Sequence, residues 1–190
     1  AGNYTVTAKD ANGCTGTRAV TVGSSTPNIT VNSNITPVVP CSAPANNGSV
    51  TLTATGGTSP YQFSFNGGAF SANATLNNQA AGNITVQAKD ANGCTSSTQT
   101  VTIGTASAGP LFTAVKNILA TRCTGCHGGT SPTAGINFAD NCTIVTKAAR
   151  IKARAVDQNP SVMPQGGPAI PTSEQQAITN WINAGGQFNQ

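Results

Sequence analysis

Cys123-Thr124-Gly125-Cys126-His127 places two thiols three residues apart and an imidazole directly after the second. A C-x-x-C-H run is the attachment signature of a c-type haem. Thiols at this spacing meet the two vinyl groups of one porphyrin and form thioether bonds, and the adjacent imidazole sits under the iron as proximal ligand. C-x-x-C also serves thiol redox and zinc sites. A closed zinc site needs four N or S ligands, whereas the chain has one histidine and no second C-x-x-C. A thioredoxin-like site needs a βαβ setting, whereas the flanks here read as a helix before and a Gly-rich loop after.

A second axial ligand is expected on the far side of the iron, where a soft thioether gives a low-spin electron carrier of raised potential. The chain contains one methionine, Met163. It lies in Asn159-Pro160-Ser161-Val162-Met163-Pro164-Gln165-Gly166-Gly167-Pro168, where prolines and glycines make a stiff irregular loop and leave little regular packing for a core methionine to fill.

Helices must position these groups. Residues 110 to 122 carry Phe112, Val115, Ile118 and Leu119 on one face, with Pro110 at the start, where a missing N–H costs nothing. Residues 142 to 156 set Ile144, Val145, Ala148, Ile151 and Ala155 against Lys147, Arg150 and Arg154. A last helix is expected from Thr172 or Ser173, each followed three residues later by Gln at capping-box spacing. It presents Ile178, Trp181 and Ile182 and stops at Gly185-Gly186. The run Lys147, Arg150, Lys152, Arg154 reads as a solvated helix face rather than a docking patch.

Residues 108 to 190 resemble the mono-haem class I cytochromes c, particularly the small cytochrome domains of Bacteroidetes-like surface proteins. The matching features are the Phe-bearing helix leading into Cys123, Cys126 and His127, then Gly135-Ile136-Asn137-Phe138, the Met-Pro with its Gly-Gly-Pro, and the Trp-Ile terminal helix. The resemblance implies one covalently attached haem c per chain. Cys123 and Cys126 become thioether anchors, His127 the proximal iron ligand and Met163 the distal one. Cys142 has no place in that pattern.

Residues 1 to 105 differ in character. They are dense in Thr, Asn, Ser, Gly and Val, and runs such as Val50-Thr51-Leu52-Thr53-Ala54 and Tyr61-Gln62-Phe63-Ser64-Phe65 alternate as half-buried strands do. Asn66-Gly67-Gly68 and Asn92-Gly93 are turn signals between them. Short strands at regular spacing argue for an antiparallel sandwich. An internal repeat is present as well: residues 1 to 15 recur as 81 to 95, with only Tyr4/Ile84 and Thr7/Gln87 different. A complete set of strands precedes the second copy from about residue 28, but not the first.

This region is similar to the SprB-type immunoglobulin-like repeat of Bacteroidetes surface and gliding adhesins, through Gly56-Gly57-Thr58-Ser59-Pro60-Tyr61, Phe65-Asn66-Gly67-Gly68 and Lys89-Asp90-Ala91-Asn92-Gly93-Cys94. The resemblance implies a Cys41–Cys94 disulfide and leaves Cys14 and Cys142 over. The expected fold class is multidomain: an all-β immunoglobulin-like sandwich followed by an all-α cytochrome c domain. Its parts are a partial repeat hairpin at 1–26, the sandwich repeat at 27–105 and the haem domain at 106–190.

Charged residues make up only 7% of the chain, and a net charge of +4 is too small to argue for nucleic acid. No run of eighteen apolar residues predicts a transmembrane segment, and no signal peptide stands in the sequence. The cytochrome resemblance implies haem attachment outside the cytoplasmic membrane, and disulfides persist only in oxidising compartments, so the protein is expected to be exported, to the cell surface or beyond. The expected function is electron transfer, with redox partner proteins or an extracellular acceptor, and no enzymatic activity. The alternative is a structural or adhesive surface protein carrying the haem domain as passenger.

The truncated first repeat sets a problem of its own. A hairpin of Tyr4, Val6, Ala8, Val20 and Val22 has an apolar face and open edges that it cannot bury alone. The cover could be the haem domain, a neighbouring chain or strands from a longer precursor. The favoured expectation is a homopolymer built by head-to-tail strand addition, with Cys14 and Cys142 as its covalent link.

Overall fold

The alternating runs of the first half form eight antiparallel strands, and the 3.6-residue stripes of the second half form helices. The structure is a computed structural model that describes residues 2–23, 28–159, 161, 163–164 and 166–190. The expected boundary at 26/27 falls outside these residues, as do Pro160, Val162 and Gln165 of the methionine loop.

Strands β1 (Gly2–Lys9) and β2 (Thr15–Val22) pair as an isolated two-stranded hairpin. The sandwich is built from β3 (Thr30–Thr36), β4 (Gly48–Thr55) and β6 (Thr75–Gln79) in one sheet, ordered β3-β4-β6. Its second sheet holds β5 (Gln62–Phe65), β7 (Gly82–Lys89) and β8 (Gln99–Ile103), ordered β5-β7-β8. Beyond β3 the chain crosses between sheets: Val38 runs parallel to Thr105, donating its N–H to Gly104 and accepting from Ala106. Val31, Val50, Leu52, Phe63, Ile84 and Val86 meet between the sheets, as period-two alternation requires.

The helical part begins one short linker later. Helix α1 (Pro110–Arg122) buries Phe112, Val115 and Leu119, and α4 (Thr172–Asn183) packs across it with Ile178 and Trp181. Phe112 meets Trp181 edge-on at 6.0 Å and Phe188 at 4.9 Å, and Trp181 donates its indole N–H to the Gln187 carbonyl at 2.8 Å. The aromatic polar tip is thus satisfied inside the core.

Two local expectations need correction. The single helix over 142–156 is broken: α2 (Asn141–Thr146) ends at Lys147, α3 (Ala148–Ile151) follows, and Lys152–Val156 widens into a π-helical turn closed by Asp157 N–H to Lys152 O at 3.0 Å. Such a turn inserts one residue into the spiral and re-aims the side chains after it. No capping box opens α4 either. Its N-cap is Pro171, with Thr172 already inside the first turn, and the Gln175 amide turns back to the Ile170 carbonyl at 2.9 Å.

The disulfide is a larger correction. Cys41 bonds to Cys142 and not to Cys94, so the expected Cys41–Cys94 pair is overturned, and with it the Cys14–Cys142 link. The topology explains why. Cys41 follows Val38, which pairs beyond the end of β8, whereas Cys94 lies past Lys89 at the other end of β7. Eight residues of strand separate those ends by about 25 Å. The Asn47 amide holds the Cys41 loop, accepting from Val39 N–H at 2.7 Å and donating to the carbonyls of Val39 and Pro44. Val39 packs against the helical core, and Ser42 reaches Gln187 at 3.4 Å. The loop therefore meets α2, where Cys142 is available. Cys94 remains a half-buried free thiol against the sandwich core, and Cys14 an exposed one. Among the described residues, no helix is long and apolar enough to cross a membrane.

Candidate functional site

Helix α1 ends where the motif begins. Cys123 caps it, its N–H bonded to Leu119 O at 2.8 Å, and the chain then closes a tight turn: Cys126 N–H and His127 N–H both return to the Cys123 carbonyl, at 3.2 and 2.8 Å. Thr133 N–H bonds to Cys126 O and Phe138 N–H to His127 O, both at 2.8 Å, so the following loop is laced to the motif by backbone on either side. The His127 ring lies against Phe138, with ring centroids 5.3 Å apart.

One contact sets the chemistry of this imidazole. Its Nδ1 lies 3.1 Å from the Thr133 carbonyl oxygen. A carbonyl can only accept, so Nδ1 carries the hydrogen, and in the neutral ring Nε2 is the nitrogen with the lone pair. A backbone partner of this kind is what orients and tautomerically fixes a metal-ligating histidine.

His127 and Cys123 are among the residues that line an open cleft with largely apolar walls. Leu119, Ile136, Phe138, Ile151 and Ala155 line it, together with Met163. An adjoining cleft shares Cys123, His127, Thr133 and Met163 and adds Cys126. The four residues singled out from the sequence, Cys123, Cys126, His127 and Met163, thus surround contiguous space, although 36 residues separate His127 from Met163.

Two arginines of the basic run also border this site. Arg150 and Arg154, one turn apart, line the cleft, so the basic run is not simply a solvated face. Lys147 and Arg150 are nevertheless exposed, as expected of such a face, and Lys152 pairs with Asp157 at 2.7 Å. Arg154 also grips the methionine loop: its guanidinium donates to the Ser161 hydroxyl, and its own carbonyl accepts from Met163 N–H at 3.2 Å. The available signal was the i, i+4 spacing of the arginines beside Ile151 and Ala155, which face the same space.

The Cys123 thiol is pushed up to about 11, mainly by burial and further by the charges of Glu174 and Cys126. A redox or nucleophilic cysteine needs the opposite shift, toward thiolate at neutral pH. Glu174 is engaged in a fork with Arg122, at 2.9 and 3.2 Å.

Residues 41–70 match the SprB repeat family, over the segment that contains β4, β5 and the Gly-Gly-Thr-Ser-Pro loop between them. No curated protein and no solved structure matches the chain.

Proposed function

We propose that the helical unit is a mono-haem cytochrome c domain that transfers single electrons at the cell surface, mounted on an immunoglobulin-like sandwich. The observation that carries this reading is the bond from His127 Nδ1 to the Thr133 carbonyl, which leaves Nε2 as a lone-pair donor beside a largely apolar cleft that Cys123 and Met163 also line.

The residues present suit a covalently held haem. Cys123 and Cys126 would form the thioethers, His127 and Met163 would supply the axial nitrogen and sulfur, and Arg150 and Arg154 would face the carboxylates of the group. Bound haem supplies a reversible one-electron couple, whose potential a methionine ligand and a dry pocket raise. The chain orients His127, fixes its tautomer, excludes water with Leu119, Ile136, Phe138 and Ile151, and holds the Met163 loop through Arg154. A raised Cys123 pKa weighs against thiol redox chemistry at this site. With Met163 available as a second ligand, the domain would be a carrier rather than an enzyme, its partners being redox proteins or an extracellular acceptor. The SprB match supports a surface setting.

The second reading is a structural or adhesive surface protein, with the haem domain as passenger. It is favoured by the hairpin β1–β2, whose Tyr4, Val6, Val20 and Val22 stand in solvent as an association surface would. Expression with a c-type haem maturation system, followed by stopped-flow mixing with small redox dyes, separates the two. Electron transfer supports the first reading, and a haem that neither accepts nor donates electrons supports the second.

A further inference from the structure

The hairpin β1–β2 is a structural duplicate of β7–β8. Tyr4 pairs with Val20 and Val6 with Arg18, as Ile84 pairs with Val101 and Val86 with Gln99; the offset of one is a single extra residue before β8. Side-chain detail repeats as well. Thr21 donates to Asn3 at 2.8 Å, and Thr102 to Asn83 at 2.7 Å. The Asp10 carboxylate accepts from Asn12 and Cys14 N–H, as Asp90 does from Asn92 and Cys94.

The two hairpins differ in what covers them. In β7 and β8, Ile84, Val86, Val101 and Ile103 are at most 7% exposed, because the β3-β4-β6 sheet lies over them. In the duplicate, Tyr4 and Val6 are 55% and 56% exposed. The turns differ in the same way. Asp90 Oδ2 accepts from Thr58 N–H at 3.0 Å, Ala91 N–H bonds to Thr58 O at 2.8 Å and the Asn92 amide to Thr58 Oγ1 at 2.9 Å. The approach is so close that a Cβ on Gly57, which has φ +66°, would stand 2.7 Å from Asp90 Oδ2. Asp10 Oδ2, Ala11 N–H and the Asn12 amide are chemically identical groups with no such partner among the described residues.

We propose that β1–β2 is the closing hairpin of a second SprB-type sandwich, and that its occupant is a half-sandwich equivalent to β3–β6 bearing a Gly-Gly-Thr-Ser-Pro loop. The intact copy in the same chain shows what surface this must be: an apolar sheet face for Tyr4, Val6 and Val20, and a Thr58-like residue for the Asp10 turn. A second copy of this chain does not offer that surface. Its Thr58 loop and its sheet face are taken by its own β7–β8, which is tethered in place at high effective concentration. Addition to a sheet edge would pair backbone groups yet leave the apolar face in water. Head-to-tail polymerisation of closed copies is therefore disfavoured.

The test compares the full chain with the same chain carrying an additional copy of residues 28–80 joined ahead of Ala1. Amide hydrogen exchange is followed in residues 2–22, with 82–103 as internal standard. In the extended chain, exchange of 2–22 should slow by at least about tenfold, toward the behaviour of 82–103. Asp10→Ala or Val6→Asp should undo most of that gain. In the unextended chain, Val6→Asp should change neither the unfolding midpoint nor the size in solution, a result that does not depend on the extension folding. Three outcomes overturn the proposal: an extended chain whose hairpin still exchanges freely; a hairpin already protected in the unextended monomer, which assigns the cover to the helical unit; and protection that appears only as the unextended chain self-associates, which assigns it to a second copy.

Discussion

His127 Nδ1 stands 3.1 Å from the Thr133 carbonyl oxygen, and six residues of loop laced back to the motif keep it there. Because the acceptor is backbone, no side-chain substitution at 133 removes it. The contact fixes the orientation of the ring and directs Nε2 away from the backbone that holds Nδ1.

Met163 is the sole thioether in the chain, and its loop is anchored through Arg154 and Ser161. In the haem-loaded protein, Met163→Ala should lower the reduction potential and admit imidazole or cyanide to the iron. Arg154→Ala should do so more weakly, by loosening the loop. Ligand titrations and potentiometry on both variants check this, and equal resistance to exogenous ligands in wild type and Met163→Ala would remove Met163 from the iron.

The Cys41–Cys142 bond closes a span of 101 residues and ties the sandwich to the helical part. Non-reducing peptide mapping should recover that pair, while Cys14 alkylates quickly without reduction and half-buried Cys94 slowly. Cys41→Ser should cost about 2–4 kcal/mol of stability. A recovered Cys41–Cys94 peptide would contradict the arrangement of the two parts.

Asp90 gives the sandwich a pH limit. Burial alone would raise its pKa, but backbone N–H groups of Thr58, Cys94, Asn92 and Gly93 together hold it below the usual carboxylate value. A pKa depressed in the folded state stabilises above the unfolded value and is lost as pH falls through the folded one. Sandwich stability should therefore hold at neutral pH and decline below about pH 4. Urea unfolding by circular dichroism from pH 7 to pH 2 checks it, and Asp90→Ala should flatten the decline. Fluorescence of Trp181, the only tryptophan, reports the helical part separately.

Phe112 is fully buried between Trp181 and Phe188. Phe112→Ala should cost about 3–5 kcal/mol, seen as a lower denaturation midpoint by Trp181 fluorescence. By contrast, the Arg122–Glu174 pair is partly solvated, and Glu174→Gln should change stability by less than about 1 kcal/mol. The same change should lower the Cys123 thiol pKa in haem-free protein, since the Glu174 charge contributes to raising it.

Much of the architecture was legible because it is local. The α1 stripe of Phe112, Val115 and Leu119 and the alternation along β4 and β7 follow directly from periodicities of 3.6 and 2. The duplicated hairpin was legible because its two copies share nearly every residue. What stayed hidden depends on how distant pieces meet. Cys41 and Cys142 pair because the Asn47-braced loop touches α2, and no local pattern encodes that contact. Arg150 and Arg154 looked like solvent-facing charge because a lysine-containing run usually is, and composition does not say which members of such a run border a cleft.

The central claim is that Cys123, Cys126, His127 and Met163 hold one haem. Intact mass and absorption spectra of the chain produced with a c-type haem maturation system test it most directly. The expected result is a mass increase of one haem that survives denaturation, no alkylatable thiol at Cys123 or Cys126, a low-spin c-type spectrum when reduced, and a weak sulfur-to-iron band near the red edge when oxidised. Unmodified thiols at both cysteines in folded, exported protein, or a haem released by denaturation, would contradict it.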